Sequence, residues 1–177
     1  MIVRSPVETQ KFASDLLNNL KKGQNVLALV GDLGSGKTTF TQGIARALGI
    51  SQRVVSPTFV LMREYKIKDQ ISKIKNITAF GGIPSEGGTN QRSKILRNLD
   101  FNDLYHLDLY RLGNIDEIKE LGIEEIWEDP SNLVIIEWAE KVRGILPKNA
   151  VWLQFRYINK KTREIATNFQ FTIFNLQ

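Results

Sequence analysis

The chain has 177 residues, of which 42% are apolar and 24% charged, and it contains no cysteine. This length predicts one domain over residues 1–177, and the lack of cysteine excludes disulfides and thiolate metal sites. No apolar run approaches the roughly eighteen residues of a membrane span, and the first residues are polar. We therefore expect a soluble, cytoplasmic protein with no membrane partner. The formal net charge of +5 serves either attraction to phosphates or simple solubility.

The first predicted element is a helix that begins after Ser5. The sequence Ser5-Pro6-Val7-Glu8 places a serine at the N-cap, proline at the first helical position and glutamate three residues after the cap. Apolar residues continue at helical spacing as far as Leu20, and Gly23 is predicted to end the helix.

A phosphate-binding loop is predicted at residues 31–39, directly after the apolar run 26–30. Such a run is typical of a parallel strand buried on both faces, and the glycines of the loop allow backbone N–H groups to turn toward a phosphate. In this Walker A pattern Lys37 contacts the outer phosphates, Thr38 contacts Mg²⁺, and a helix begins near Lys37. A nucleoside triphosphate is the predicted ligand, and a glycine turn without a ligand is the alternative. The predicted phosphate contacts are Gly34, Ser35, Gly36, Lys37, Thr38 and Thr39.

The segment 54–65 is rich in β-forming residues and is interrupted by Pro57. The interruption predicts two short extended pieces. Ser56 and Thr58 form either a plain polar turn or a sensor of the γ-phosphate, because hydroxyl-bearing segments in this position rearrange on hydrolysis in other NTPases.

Residues 67–102 differ from their surroundings. They contain two glycine pairs, several serines and an excess of basic residues. A segment of this length and composition predicts a basic, flexible insertion.

The segment 104–111 predicts a strand in which His106, Asp108 and Tyr110 share one face. We interpret His106 as a structural group. Asp108 is a stronger candidate for a site residue, because a carboxylate near the end of an apolar strand is costly to bury without a cation or hydrogen-bond donors. Short helices are predicted on either side of Gly122, the first from a capping box at 114–117.

A second candidate site residue, Glu137, follows the apolar run 133–136. This is the Walker B pattern, in which a buried parallel strand delivers a carboxylate to Mg²⁺ at its carboxyl end. The tail predicts strands at 151–157 and 165–174, joined by the basic turn 159–163. Asn159-Lys160 resembles a guanine-reading motif, but the threonine at position 162 removes its carboxylate, so guanine selectivity is not predicted.

These elements predict an α/β fold. We expect a P-loop NTPase domain with a mostly parallel central sheet, helices on its faces and antiparallel strands toward the C-terminus.

Together the motifs resemble the TsaE (YjeE) family, the ATPases of bacterial tRNA threonylcarbamoyladenosine biosynthesis. The resemblance covers nearly the whole chain except 67–102, where this chain is longer than family members usually are. Besides the phosphate loop it rests on Ser56-Pro57-Thr58-Phe59, His106-Leu107-Asp108-Leu109-Tyr110-Arg111, Leu121-Gly122 and Glu137-Trp138-Ala139-Glu140.

The resemblance implies a slow, Mg²⁺-dependent ATPase that acts on the TsaD–TsaB pair, which modifies adenosine 37 of tRNA. Contact with tRNA would be indirect, and DNA is not expected as a partner.

The resemblance also assigns roles to residues of this chain. Lys37, Asp108 and Glu137 would be catalytic, and Thr38 and Glu137 would bind the metal. Thr9 and Arg163 would contact the nucleoside, although composition alone favours Thr9 as a solvated helix residue. Trp138 would lie in the nucleotide pocket or on the partner surface.

Two other functions remain open from the sequence. One is a small-molecule P-loop kinase, whose lid only 67–102 could supply. The other is a nucleotide-gated module that binds tRNA or protein through its basic surface.

Overall fold

The computed structural model describes residues 1–67 and 101–167. Most of the predicted insertion, residues 68–100, lies outside the described residues. In the described part a sheet of seven strands runs in the order β1-β7-β6-β2-β5-β4-β3. The strands are β1 (Ile2–Val3), β2 (Val26–Val30), β3 (Met62–Lys66), β4 (Asp103–Asp108), β5 (Asn132–Glu137), β6 (Val151–Tyr157) and β7 (Arg163–Thr167).

Four α-helices and one 3₁₀ helix accompany these strands in the described residues. The α-helices are α1 (Pro6–Asn18), α2 (Lys37–Ala47), α3 (Asp116–Glu120) and α4 (Glu124–Glu128), and the 3₁₀ helix is Ala139–Val142. Over 1–67 and 101–167, none of the helices combines the length and the apolar character needed to span a membrane.

The centre of the sheet is parallel. β2 pairs with β5 and β6, and β5 pairs with β4, all in parallel. The outer pairs β3–β4, β6–β7 and β1–β7 are antiparallel. The predicted α/β fold is therefore confirmed, including its antiparallel strands toward the C-terminus. Of the predicted strand 165–174, the part beyond Thr167 lies outside the described residues.

The core lies on both faces of the sheet, because most side chains of the central strands are apolar and buried. Leu27 and Leu29 of β2 belong to a buried cluster that includes residues of α1 and α2. Val26 and Ala28 point to the opposite face and belong to a cluster that includes residues of α3 and α4. The two faces produce three layers, with α1 and α2 on one side and α3 and α4 on the other.

Local signals at the start of α1 are confirmed, whereas its predicted end is wrong. The Ser5 hydroxyl accepts a hydrogen bond from the Glu8 N–H at 3.1 Å, as the capping box requires. The helix ends at Asn18 and is capped at Asn19, before Gly23. Gly23, at φ +85°, instead turns the chain toward β2.

Of the two extended pieces predicted in 54–65, the second is strand β3 (Met62–Lys66), and residues 54–57 form no paired strand. Upstream of β3 the chain forms a turn in which the Val60 N–H donates to the Pro57 carbonyl at 2.9 Å. Proline has no N–H to donate to a strand ladder, which explains why pairing begins only after the turn.

The close packing of α1 on α2 predicts a stability effect at Gly43. A Cβ there would lie 2.7 Å from the Gln10 Cα and 2.8 Å from the Ala13 Cβ, so one helix would have to shift. We expect Gly43→Ala to lower the free energy of unfolding, because overpacking costs about 1–3 kcal/mol. Replacing a glycine inside a helix returns at most about 1 kcal/mol. Urea unfolding monitored by circular dichroism measures the difference.

Gly144→Ala is the matched control for this substitution, because a Cβ at Gly144 meets no heavy atom within 4 Å. Equal effects of the two substitutions on unfolding would contradict the role assigned to the helix contact.

Candidate functional site

The site is built around the loop that joins β2 to α2. Gly31, Gly34 and Gly36 have φ values of +140°, +74° and +106°, which side-chain-bearing residues rarely adopt. A Cβ at Gly31 would also overlap the backbone carbonyl of Phe155. The backbone conformation of the loop therefore depends on its glycines.

Two features of this loop fit an anion. The Ser35 side chain is fully buried, and its hydroxyl has no hydrogen-bond partner among the described residues. The eleven-residue helix α2 has Gly36 at its N-cap, where no side chain satisfies the first N–H groups. Unpaired N–H groups and the helix dipole favour a phosphate at this position.

Lys37, the first residue of α2, is only 4% exposed. Its ammonium donates to the backbone carbonyls of Gly31 and Asp32 and lies 4.2 Å from the centroid of the Trp138 ring. Burial lowers the pKa of Lys37, while the nearby carboxylates of Glu137, Glu140, Asp108 and Asp32 oppose that shift. The cation is therefore held in a desolvated position where additional negative charge would stabilise it.

Glu137 is the last residue of β5 and is 3% exposed. One carboxylate oxygen, Oε2, accepts a hydrogen bond from the Thr38 hydroxyl at 3.1 Å. The other, Oε1, lies 2.8 Å from Nε2 of His106. The side chains of Thr38 and Glu137 thus meet, as the sequence predicts for a metal site.

The chemistry of this donor set fits Mg²⁺. A hydroxyl and a carboxylate are hard oxygen ligands, and Mg²⁺ usually combines one or two protein ligands with phosphate oxygens and water. Among the described residues no cluster of three or more histidine, cysteine or acidic side chains could hold a metal by itself. A cation held by Thr38 and Glu137 would therefore complete its coordination with phosphate oxygens and water.

Asp108 ends β4 and is 3% exposed. Its carboxylate accepts hydrogen bonds from the hydroxyls of Ser56 and Thr58 and, at 2.9 Å, from the backbone N–H of Tyr110. In the sheet Asp108 pairs with Glu137. The structure therefore joins Ser56 and Thr58 to Asp108, which is about fifty residues away in sequence, in one hydrogen-bonded group beside the loop.

Two cavities lie against the loop. The first, about 340 Å³, is lined by residues 33–39 together with the hydroxyls of Ser56 and Thr58, Asp108, Tyr110, Glu137 and Trp138. The second, about 220 Å³, is lined by Thr9, Arg163 and other residues of the N-terminus and the basic turn. Gly34, Gly36 and Thr39 line both cavities. The two cavities thus lie on either side of the loop, with room for a ligand larger than a phosphate.

Thr9 and Arg163 belong to the second cavity. Thr9 is 4% exposed, and its hydroxyl donates to the Ser5 carbonyl at 3.2 Å. The Arg163 guanidinium donates to the Gly34 carbonyl at 3.2 Å and lies 4.4 Å from the centroid of the Tyr157 ring. Arg163 therefore contacts the loop itself, a contact that sequence reasoning missed.

Three basic residues of the second cavity were not predicted as site residues. The cluster of charge in the turn 159–163 was the available signal for two of them, but it is equally typical of a solvated surface. These residues are Arg4, Lys160 and Lys161.

The family model for "Threonylcarbamoyl adenosine biosynthesis protein TsaE" matches residues 3–76 and 93–165. The chain belongs to the TsaE family. All the predicted site residues lie within the two matched segments, and the resemblance inferred from the motifs is confirmed. The unmatched residues 77–92 lie inside the predicted insertion.

Individual relatives agree with this family match. The tRNA threonylcarbamoyladenosine biosynthesis protein TsaE of Bacillus subtilis (strain 168) is 32% identical over 162 residues, which cover 92% of this chain and 80% of the relative. The protein of the same name from Rickettsia conorii is 35% identical over 169 residues, covering 94% and 77%. A crystal structure of Bacillus subtilis YdiB matches with a TM-score of 0.57 at 26% identity, covering 98% of this chain and 88% of that one.

The lowered pKa of Lys37 predicts how the stability of the ligand-free protein depends on pH. An unfolded chain binds the lysine proton more tightly than the folded chain does, so charged Lys37 destabilises the fold at neutral pH. We expect Lys37→Met to unfold at a higher temperature than the wild type at pH 7. The difference should shrink as pH rises from the lowered pKa toward the ordinary lysine value of 10.5, because the penalty disappears when both states lose the proton. Thermal unfolding across this pH range tests the trend.

Lys148→Met serves as the control, because Lys148 is exposed on the surface. A Lys37→Met protein that is less stable than the wild type at pH 7 would show that the two carbonyl hydrogen bonds outweigh desolvation.

Proposed function

We propose that the protein is a Mg²⁺-dependent ATPase required for tRNA threonylcarbamoyladenosine modification, and that it acts on the TsaD–TsaB pair to permit turnover. One observation carries the proposal. The Thr38 hydroxyl and the Glu137 carboxylate meet at the open N-terminus of α2, beside the buried ammonium of Lys37. A cation, an anion-binding backbone and a metal-binding oxygen pair are the parts that phosphoryl transfer needs.

The proposed reaction is ATP + H₂O to ADP + phosphate. The loop residues 34–39 would bind the phosphates, and the second cavity would accept the nucleoside, with Thr9 and Arg163 on its wall. ATP is preferred over GTP in this proposal because Thr162 stands where a guanine-reading carboxylate would be needed.

Charge neutralisation is the main task of the loop. Lys37 would exchange its carbonyl contacts for phosphate oxygens, and the N–H groups of α2 would bind the same anion without having to reorganise. Bound Mg²⁺, held by Thr38 and Glu137, would supply Lewis-acid stabilisation of the charge that develops on the phosphates.

Asp108 is proposed to act at the γ-phosphate end of the first cavity. Its buried carboxylate would orient the attacking water and accept a proton once the water replaces one of the two hydroxyls that now donate to it. Ser56 and Thr58 both donate to this carboxylate, so a γ-phosphate that took one of these hydroxyls as its own donor would change the contacts of Asp108. This supports the sensor role over the plain polar turn.

Exposed aromatic side chains near this end of the cavity support a protein partner. Phe59 is 82% exposed and its ring lies 4.2 Å from the Arg111 guanidinium. Tyr110 is 48% exposed and packs on Trp138 with ring centroids 5.1 Å apart. Exposed aromatic and arginine side chains are common anchors of protein interfaces.

Two substitutions and one partner addition test the function. Lys37→Ala should weaken ATP binding about 10-fold or more, since it removes the phosphate-binding cation. At saturating Mg²⁺, Glu137→Ala should retain ATP binding and lose hydrolysis by a factor of about 100 or more. Wild-type hydrolysis should be slow alone and faster with TsaD and TsaB. Calorimetry measures binding, and phosphate release with and without the pair measures turnover.

Lys148→Ala provides a charge-matched control for Lys37→Ala, because Lys148 lies on the surface away from both cavities. Normal Mg²⁺-dependent turnover by Glu137→Ala would overturn the metal assignment. Fast hydrolysis by the isolated protein, unchanged by the pair, would overturn the partner-dependent role.

A further inference from the structure

A buried contact joins His106 of β4 to Glu137 of β5. Nε2 of His106 lies 2.8 Å from Oε1 of Glu137, with His106 0% and Glu137 3% exposed. We propose that His106 is a positioning residue that fixes the Glu137 carboxylate so that its second oxygen faces Thr38 and the metal. This inference rests on the proposed function, because it concerns the same metal ligand.

The two oxygens of Glu137 have separate partners. Oε1 faces His106, and Oε2 accepts from the Thr38 hydroxyl at 3.1 Å. A carboxylate bound through one oxygen alone can rotate about its terminal carbon–carbon bond. A partner on each oxygen fixes that rotation, so the contact with His106 orients the oxygen that would bind Mg²⁺.

The surroundings of His106 also determine which of its ring nitrogens is the donor. Its other ring nitrogen, Nδ1, is buried and has no hydrogen-bond partner among the described residues. A proton on Nδ1 would be a buried donor without an acceptor, whereas a proton on Nε2 is donated directly to the carboxylate. The contacts therefore make Nε2 the nitrogen that donates to Glu137.

The sheet register explains why this histidine can reach Glu137. His106 pairs with Ile135 of β5, and Asp108 pairs with Glu137 itself. The side chains of His106 and Asp108, two residues apart, lie on the same face of β4. One strand therefore supplies both the buried contact with Glu137 and an acid that lines the first cavity.

The ring nitrogen that carries the proton can be identified directly, because His106 is the one histidine in the chain. Nitrogen-15 labelling of histidine gives NMR signals from a single imidazole. In ligand-free protein we expect Nε2 to carry a proton, and we expect Glu137→Ala to shift both nitrogen signals. A ring with no proton on Nε2, or signals that do not respond to Glu137→Ala, would overturn the inference without any measurement of activity.

Two variants test positioning. His106→Leu removes the donor, and His106→Gln places an amide N–H near the position of Nε2. We expect the Mg²⁺ concentration that half-saturates MgADP binding to rise about 10–100-fold in His106→Leu, the range seen when an outer partner of a metal ligand is lost. His106→Gln should return most of this loss. At saturating Mg²⁺ the KM for ATP should stay near the wild-type value.

The outcomes separate the inference from the proposed function. Wild-type protein that binds MgADP, with the same Mg²⁺ requirement in His106→Leu, overturns the inference and leaves the function standing. If circular dichroism shows that His106→Leu does not fold, His106→Gln decides the question. A raised Mg²⁺ requirement in His106→Gln also overturns the inference, because a hydrogen-bond donor near the position of Nε2 is then not sufficient. Wild-type protein that binds no nucleotide at any Mg²⁺ concentration overturns the function and the metal role of Glu137 together.

Discussion

The site depends on the position of β5 between β2 and β4. In this parallel arrangement Glu137 pairs with Leu29 on one side and with Asp108 on the other. Leu29 lies next to the last residue of β2, so the carboxylate is delivered to the edge where the loop begins. A shift of one residue in either pairing would turn Glu137 to the opposite face of the sheet, away from Thr38. The apolar packing on both faces of the sheet therefore determines the position of the Glu137 carboxylate as well as the fold.

The same burial leaves two polar groups of the site without strong hydrogen-bond or ionic partners. Lys37 is desolvated, and its ammonium is satisfied by loop carbonyls and the face of Trp138, all of which are weaker partners than a phosphate. The Ser35 hydroxyl has no partner at all among the described residues. A bound triphosphate would satisfy both groups at once. Affinity would thus come from completing interactions that the fold has already oriented, because little reorganisation is then required.

Sequence reasoning succeeded where the signal is local. The loop, the cap of α1 and the acid that ends β5 each depend on residues close together in the chain, and each lies where it was predicted. The contact of His106 with Glu137 was missed because it depends on β4 and β5 being neighbours in the sheet. A histidine in a strand does not indicate which strand lies beside it. The two-residue strand β1 is too short for any periodicity. The contact of Arg163 with Gly34 likewise joins residues brought together only by the pairing of distant strands.

Two residues beside the site have strained backbone conformations. Among the described residues, Leu61 and Trp138 are the non-glycine residues with positive φ, at +65° and +61°, a conformation that costs about 1–2 kcal/mol each. The Leu61 carbonyl accepts from the Asp108 N–H at 3.0 Å, which holds the preceding turn against Asp108. Trp138 comes directly after Glu137 in the chain, and the Trp138 ring contacts the Lys37 ammonium. Strained conformations persist where surrounding contacts over-determine them. Moving Lys37 onto a phosphate would remove its contact with the Trp138 ring, so relief of the strain at Trp138 would offset part of the cost of rearranging the site.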